Sequence, residues 1–142
     1  MDIATREDSE EQAEPSPCGV LIIEDDRNTA EALRLLFEFD GFAVSVAEDA
    51  VEGLRMARLR HPQAVVCDIG LPGVLNGFDV AVLLRSDPTT SSAFLVAVTA
   101  CGEPKDKLRG ARAGFQAYLD KPVNCGHLLA VVRAGVGGAV LQ

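Results

Sequence analysis

Four places in this chain hold residues that could do chemistry together. Asp68 closes the apolar run Ala64 to Cys67 and is followed by a turn containing Gly70 and Pro72. Glu24, Asp25 and Asp26 close a second apolar run, Val20 to Ile23. Thr99 closes a third, Phe94 to Val98, and Lys121 follows Asp120 just before Pro122. Several carboxylates gathered within a few ångströms repel one another and require a cation. An all-oxygen set with room for water suits magnesium (or manganese), a hard ion that takes one or two carboxylates and keeps several waters. Lysine adds a mobile positive charge and threonine a hydroxyl. Cation, lysine and hydroxyl are the parts that stabilise the equatorial oxygens of a phosphoryl group in transfer. Asp68 is then the candidate nucleophile, forming an acyl phosphate. Taken singly, each residue also has a plain reading, as a strand-end turn former or a surface lysine. The chemistry depends on a fold that brings them to one place.

The elements between these residues supply such a fold. Val20 to Ile23, Ala64 to Asp68 and Phe94 to Val98 are continuous apolar runs, the pattern of strands buried on both faces. Phe42 to Val46 and Phe115 to Leu119 alternate more, as edge strands do. Five helices are predicted between and after them. The first is capped by Asn28 or Thr29, carries Leu33, Leu36 and Phe37 on one face, and stops at Asp40-Gly41. The second is capped by Asp49, carries Ala50, Leu54 and Ala57, and ends at His61-Pro62. Phe78 to Ser86 forms the third. Pro104 to Ala113 forms the fourth, with Leu108 and Ala111 almost its only apolar anchors. The last carries Leu128, Val131, Val132 and Val136, and Gly135, Gly137 and Gly138 are expected to fray it. Alternating strands and helices predict an α/β fold, a five-stranded parallel sheet with helices on both faces. With right-handed crossovers and the alternating strands at the edges, the order is 2-1-3-4-5, a flavodoxin-like doubly wound sheet. The chain then reverses direction between strands one and three, where ligands of such sheets bind. Glu24, Asp25, Asp26 and Asp68 meet at that point, with Thr99 and Lys121 alongside.

Composition excludes other classes. At 142 residues and 48% hydrophobic the chain suits one domain with a real core. No run of 18 apolar residues exists to span a membrane, and the start lacks a secretory signal. The net charge of −8 is uneven: residues 1–17 carry six acids against Arg6. This acidic, aromatic-free leader ending in Pro15-Ser16-Pro17 is expected to be disordered, with the folded domain spanning residues 18–142. No basic cluster is large enough to grip nucleic acid. Cys18, Cys67, Cys101 and Cys125 show no CxxC pairing and read as reduced apolar fillers in a cytoplasmic protein.

From Cys18 to about Val136 the chain resembles the receiver domains of two-component response regulators. VLIIEDD, VVCDIGLPG, VAVTA and AGFQAYLDKPV, in that order and spacing, carry the resemblance. It implies that Asp68 accepts phosphate from a histidine kinase or histidine phosphotransfer protein. It implies a magnesium site of Asp25, with Glu24 beside it, Asp68 and the Gly70 carbonyl. It assigns Thr99 and Lys121 to the phosphoryl group, Lys121-Pro122 to the family's cis peptide, and Thr99 and Tyr118 to the switch. Three departures stand out. Asp26 extends the acid pair to three, leaving open which two face the metal. The loop from Asp68 to Gly77 is one residue longer than the usual pattern, around Val74-Leu75-Asn76. Gly70 and Cys101, two residues after Asp68 and Thr99, are small where the family tunes water access to the aspartyl phosphate.

The expected function is a stand-alone receiver, a phosphoacceptor signalling domain and not an enzyme, though able to assist its own phosphorylation and dephosphorylation. It would act through an unidentified downstream protein or relay phosphate onward, because only 20 residues follow Pro122. The fourth helix, fifth strand and fifth helix are expected to form the output face. The alternatives are a degenerate receiver used as scaffold, and a magnesium-dependent aspartyl-phosphate phosphatase. The phosphatase requires a second acid two residues after the nucleophile, where Gly70 stands. A flavin-binding reading fails because acids follow the first strand where a Ser/Thr/Gly-rich phosphate loop is required.

Overall fold

The computed structural model describes residues 19–100 and 103–140, with side chains placed through Gly137. The expected leader and Cys18 and Cys101 lie outside these residues. Five strands and five helices alternate. They are β1 (Gly19–Ile23), α1 (Arg27–Phe39), β2 (Ala43–Ala47), α2 (Ala50–Arg60), β3 (Ala64–Asp68), α3 (Gly77–Ser86), β4 (Phe94–Thr99), α4 (Pro104–Ala113), β5 (Ala117–Asp120) and α5 (Cys125–Val140). The strands form one parallel sheet in the order β2-β1-β3-β4-β5. The expected fold class and strand order are both found.

Alternate residues of the three inner strands feed two separate cores, which is why those strands are apolar throughout. Leu21, Ile23, Val65, Cys67, Leu95 and Ala97 point to one face, against Ala50, Leu54 and Ala57 of α2 and Val80, Ala81 and Leu84 of α3. Val20, Ile22, Ala64, Val66, Val96 and Val98 point to the other, against Leu33 and Phe37 of α1 and Leu128 and Val132 of α5. Phe37 is fully buried and meets Phe42 edge-on, with ring centroids 5.5 Å apart. Burying a side chain of this size contributes roughly 1.5–3 kcal/mol.

Local signals set most boundaries. Asp49 caps α2 by accepting from the Glu52 amide at 2.8 Å. His61 ends that helix in the left-handed region, at φ 50°, just before Pro62. Four expectations are corrected. α1 is capped by Asp26, not by Asn28 or Thr29, because the Asp26 carboxylate reaches the Thr29 amide at 3.0 Å. β5 begins at Ala117, and Phe115 belongs to the preceding turn, donating its amide to Gly110 at 3.0 Å. Leu108 and Ala111 do not anchor α4: Leu108 is 52% exposed, Ala111 is exposed, and the buried residue of that helix is Gly110. Cys125 is exposed at the start of α5, so it is no core filler.

α5 also continues through its glycines to Val140. At Gly135 the reason is close approach. A Cβ there would lie 2.4 Å from the Phe94 ring of β4, so the bare Cα admits the ring. Gly135→Ala sets two effects against each other. Helix propensity favours alanine by about 0.8–1 kcal/mol, whereas overpacking in a filled site costs typically about 1–3 kcal/mol. Overpacking should win, because the contact is with the body of an aromatic ring. We expect Gly135→Ala to lower the urea midpoint at unchanged slope; a raised midpoint would show that α5 can stand off the sheet without cost.

Candidate functional site

The residues singled out above converge on the carboxyl edge of the sheet. Asp68 is the last residue of β3 and only 8% exposed, so its carboxylate is held by a strand buried on both faces. Glu24 follows β1 directly and is 3% exposed, whereas Asp25 beside it is open to solvent. Thr99 ends β4 and is buried. The β3–β4 register pairs Asp68 with Val98, placing Thr99 one residue beyond it on the neighbouring strand.

Lys121 reaches this group from the far side of the sheet. Its backbone N–H donates to the Thr99 carbonyl at 2.8 Å. Its Nζ donates to Glu24 Oε1 at 3.0 Å and stands 3.6 Å from Asp68 Oδ1. The peptide bond between Lys121 and Pro122 is cis, and Pro122 is exposed. The Gly70 amide lies 3.3 Å from Asp68 Oδ1, so this glycine meets the carboxylate through its backbone and offers no second acid. Asp26 is turned away. Its side chain caps α1, accepting from the Thr29 amide and hydroxyl, while its own amide donates to Glu24 Oε2 at 3.0 Å. Tyr118 lies half-buried on β5 with its ring against Gly110 of α4, where an added Cβ would approach to 2.7 Å.

One residue escaped the sequence reading. The loop after β3 folds back so that the Gly77 amide donates to the Ile69 carbonyl at 3.0 Å. A Cβ on Gly77 would lie 2.7 Å from Ile69 Cα and 2.8 Å from the Asp68 carbonyl oxygen. Both are backbone atoms and cannot swing aside, so glycine at the start of α3 lets the loop close behind Asp68. Asn76 and Asp79 seal the same closure with a reciprocal capping box. The intervening tip faces solvent: Val74 is 92% exposed, and Gly73 adopts φ +96°. The signal in the sequence is the glycine immediately before Phe78, where the apolar face of α3 begins.

The electrostatics follow from this geometry. Burial raises the Glu24 carboxyl above its ordinary range, the Asp26 amide and Lys121 oppose that, and the charge of Asp68 adds to it. For Lys121 burial pulls the other way, toward the neutral amine. The bond to Glu24 and the charges of Asp68 and Glu24 outweigh it, so its pKa is raised and the ammonium persists at neutral pH.

Ligand oxygens of Glu24, Asp25 and Asp68 lie within 4.8 Å of one another. Three carboxylates against one ammonium leave an excess of negative charge. All donors are hard oxygens, and exposed Asp25 leaves one side open to water. This donor set fits a small hard divalent cation such as magnesium.

A family model described as response regulator receiver domain matches residues 20–133. The chain is 36% identical over 118 residues to response regulator MprA of Mycobacterium sp. (strain KMS), covering 83% of this chain and 50% of that protein. It is 35% identical over 119 residues to protein PilH of Pseudomonas aeruginosa, covering 84% of this chain and 98% of that protein. Thus it spans about half the length of MprA and nearly all of PilH. A solved receiver domain, described as CheY-like, from Methanospirillum hungatei JF-1 superposes with a TM-score of 0.82 at 25% identity, covering 89% of this chain and 98% of that one.

The burial behind Asp68 can be checked through its neighbour. Cys67 is fully buried, and burial, reinforced by the negative charges of Asp68 and Glu24, pushes its thiol well above the usual range. A raised pKa keeps the sulfur protonated and unreactive at mildly alkaline pH. Alkylation of the folded protein with iodoacetamide, followed by peptide mass mapping, should label exposed Cys125 and leave Cys67 unmodified until denaturant is added. Equal labelling of both in the folded state would contradict this placement of β3.

Proposed function

Because this chain belongs to the response regulator receiver family, we propose that it is a phosphorylation switch with Asp68 as acceptor. The donor is a phosphohistidine on a cognate histidine kinase or phosphotransfer protein. The observation that carries the reading is the convergence of Asp68, Glu24, Asp25 and the Lys121 ammonium from three strand ends. Glu24, Asp25 and Asp68, with the Gly70 carbonyl, would hold magnesium. A bound magnesium ion supplies charge neutralisation for the phosphoryl oxygens.

The chain's own residues do the rest. An Asp68 carboxylate oxygen attacks phosphorus in line with the departing imidazole. The P–N bond breaks, its electron pair returns to the ring nitrogen, and the histidine afterwards takes up a proton. Lys121 already stands between Glu24 and Asp68, so its ammonium can exchange a carboxylate partner for a phosphoryl oxygen with little displacement. Thr99, at the end of the adjacent strand, offers its hydroxyl to the same group. Cys67 takes no part, because its thiol lies inside the core. The free thiols of Cys67 and Cys125 suit a reducing, cytoplasmic compartment.

Phosphorylation adds about −1.5 to −2 charge units at one spot. We place the output on α4, β5 and α5. α4 buries only Gly110 against Tyr118 and lacks a side-chain cap at Glu103, so it has the least holding it. The signal then passes to a downstream protein, or the phosphate is handed on.

The decisive experiment is incubation with acetyl phosphate and magnesium, read by intact mass. Wild type should gain one phosphate, Asp68→Ala none, and Asp25→Asn at least tenfold less at limiting magnesium. Chelation with EDTA should abolish the adduct. An adduct on Asp68→Ala equal to wild type would refute the acceptor, and none on wild type would favour a phosphorylation-independent scaffold.

A further inference from the structure

The far end of α4 is held by an arginine that the acceptor chemistry does not use. Arg85 lies in the last turn of α3, eight residues after Gly77, which places it roughly 12 Å along the helix from the Asp68 loop. Its side chain is half-buried, and all five N–H donors of the guanidinium are taken. Nε and Nη2 donate to the Gly114 carbonyl at 3.1 and 2.8 Å. Nη2 also donates to Gln116 Oε1 at 2.7 Å, and Nη1 to the carbonyls of Ser91 and Ala93 at 2.6 and 2.7 Å. No carboxylate among the described residues pairs with it, so the charge rests on neutral oxygens from two loops. An arginine fork with every donor occupied is a geometrically rigid joint.

Gly114 is built to receive this joint. It closes α4 at φ +124°, its amide donating to Gly110 and Ala111. A Cβ on it would lie 2.6 Å from Arg85 Cγ, so the arginine stem lies directly on its bare Cα. Gln116 carries the restraint into the sheet, its Oε1 also accepting from the Leu95 amide at 3.0 Å. The opposite end of α4 has no such joint. Pro104 opens it, Glu103 makes no side-chain capping bond, and its ion pairs, Lys105–Glu103 at 3.8 Å and Lys107–Asp120 of β5 at 3.7 Å, are solvent-exposed and weak. Between the ends the helix rests on the Gly110–Tyr118 contact and on Arg109 stacked 4.1 Å over Phe78.

We infer that Arg85 is a positioning residue of the switch, the pivot on which α4 turns. Charge arriving at Asp68 and drawing on Thr99 acts on the uncapped amino end of α4. With Gly114 fixed, the helix swings about its carboxyl end and does not slide as a body. Displacement is then greatest near residues 103–107 and vanishes by residues 112–116, and Tyr118 lies under the moving part. This rests on the phosphoacceptor reading above.

Hydrogen exchange with and without beryllofluoride and magnesium tests both, with adduct formation on Asp68 scored separately by Asp68→Ala. Wild type should show at least a threefold change in exchange over 103–109 and less than 1.5-fold over 112–116. Arg85→Met keeps the stem and removes the fork; the change should then spread through 112–116 while acetyl phosphate labelling stays within twofold of wild type. Gln116→Leu, which removes one acceptor and spares the arginine, should show the same spread in weaker form and serves if Arg85→Met does not fold. A wild-type change that is uniform along α4 overturns the pivot, as does a variant pattern identical to wild type. Absence of any Asp68-dependent change overturns the phosphoacceptor reading and the pivot with it.

Discussion

Lys121 leaves an edge strand and places its ammonium among carboxylates that belong to the centre of the sheet. β5 and β1 are separated by two intervening strands, a span of about 14 Å at the usual strand spacing. The chain after β5 must therefore turn inward over the end of β4, and the Lys121 amide on the Thr99 carbonyl fixes that turn. Everything at the rim depends on it. Without the ammonium, Glu24 and Asp68 would be two nearly buried carboxylates facing each other, a costly arrangement for any fold. With it, the first, third and last strands are joined at one point, and a negatively charged site remains open to a cation and a phosphoryl group.

The fold was largely legible because burial on two faces leaves a direct trace in composition. Val20–Ile23, Ala64–Cys67 and Phe94–Val98 had to be apolar at every position, and β2 and β5 did not. The convergence of Asp68, Glu24, Asp25, Thr99 and Lys121 then followed from strand order alone. Three-dimensional closeness was harder to read. Gly135 and Gly110 look like helix weaknesses, yet each leaves room for an aromatic ring from another element, Phe94 and Tyr118. Leu108 looks like an anchor because it is apolar, but a residue's face is decided by what lies beneath the helix, and α4 has little beneath it. Asn28 and Thr29 were the expected caps of α1, yet the cap is Asp26, whose carboxylate accepts from the Thr29 amide.

The two cores divide the work. α1 and α5 share one face and are tied by the Arg133–Asp40 pair. α2, α3 and α4 share the other, where Arg85 joins the ends of α3 and α4. The helix with the least apolar burial thus sits beside the acceptor, and its firmest restraint lies at the end remote from it. A domain arranged this way can keep a stable scaffold while one element stays near the low end of local stability.

The closure behind Asp68 has a consequence for how such a chain can vary. Ile69 and Gly77 are joined across 3.0 Å, so the intervening residues form a loop whose ends are already fixed. Lengthening a closed surface loop costs little, about 0.6 kcal/mol for each doubling of its length. Residues around Val74 can therefore be added, removed or exchanged without moving the acceptor. The tip of that loop is a graft point: a segment with its own recognition properties could be inserted there, next to the phosphorylation site and mechanically insulated from it.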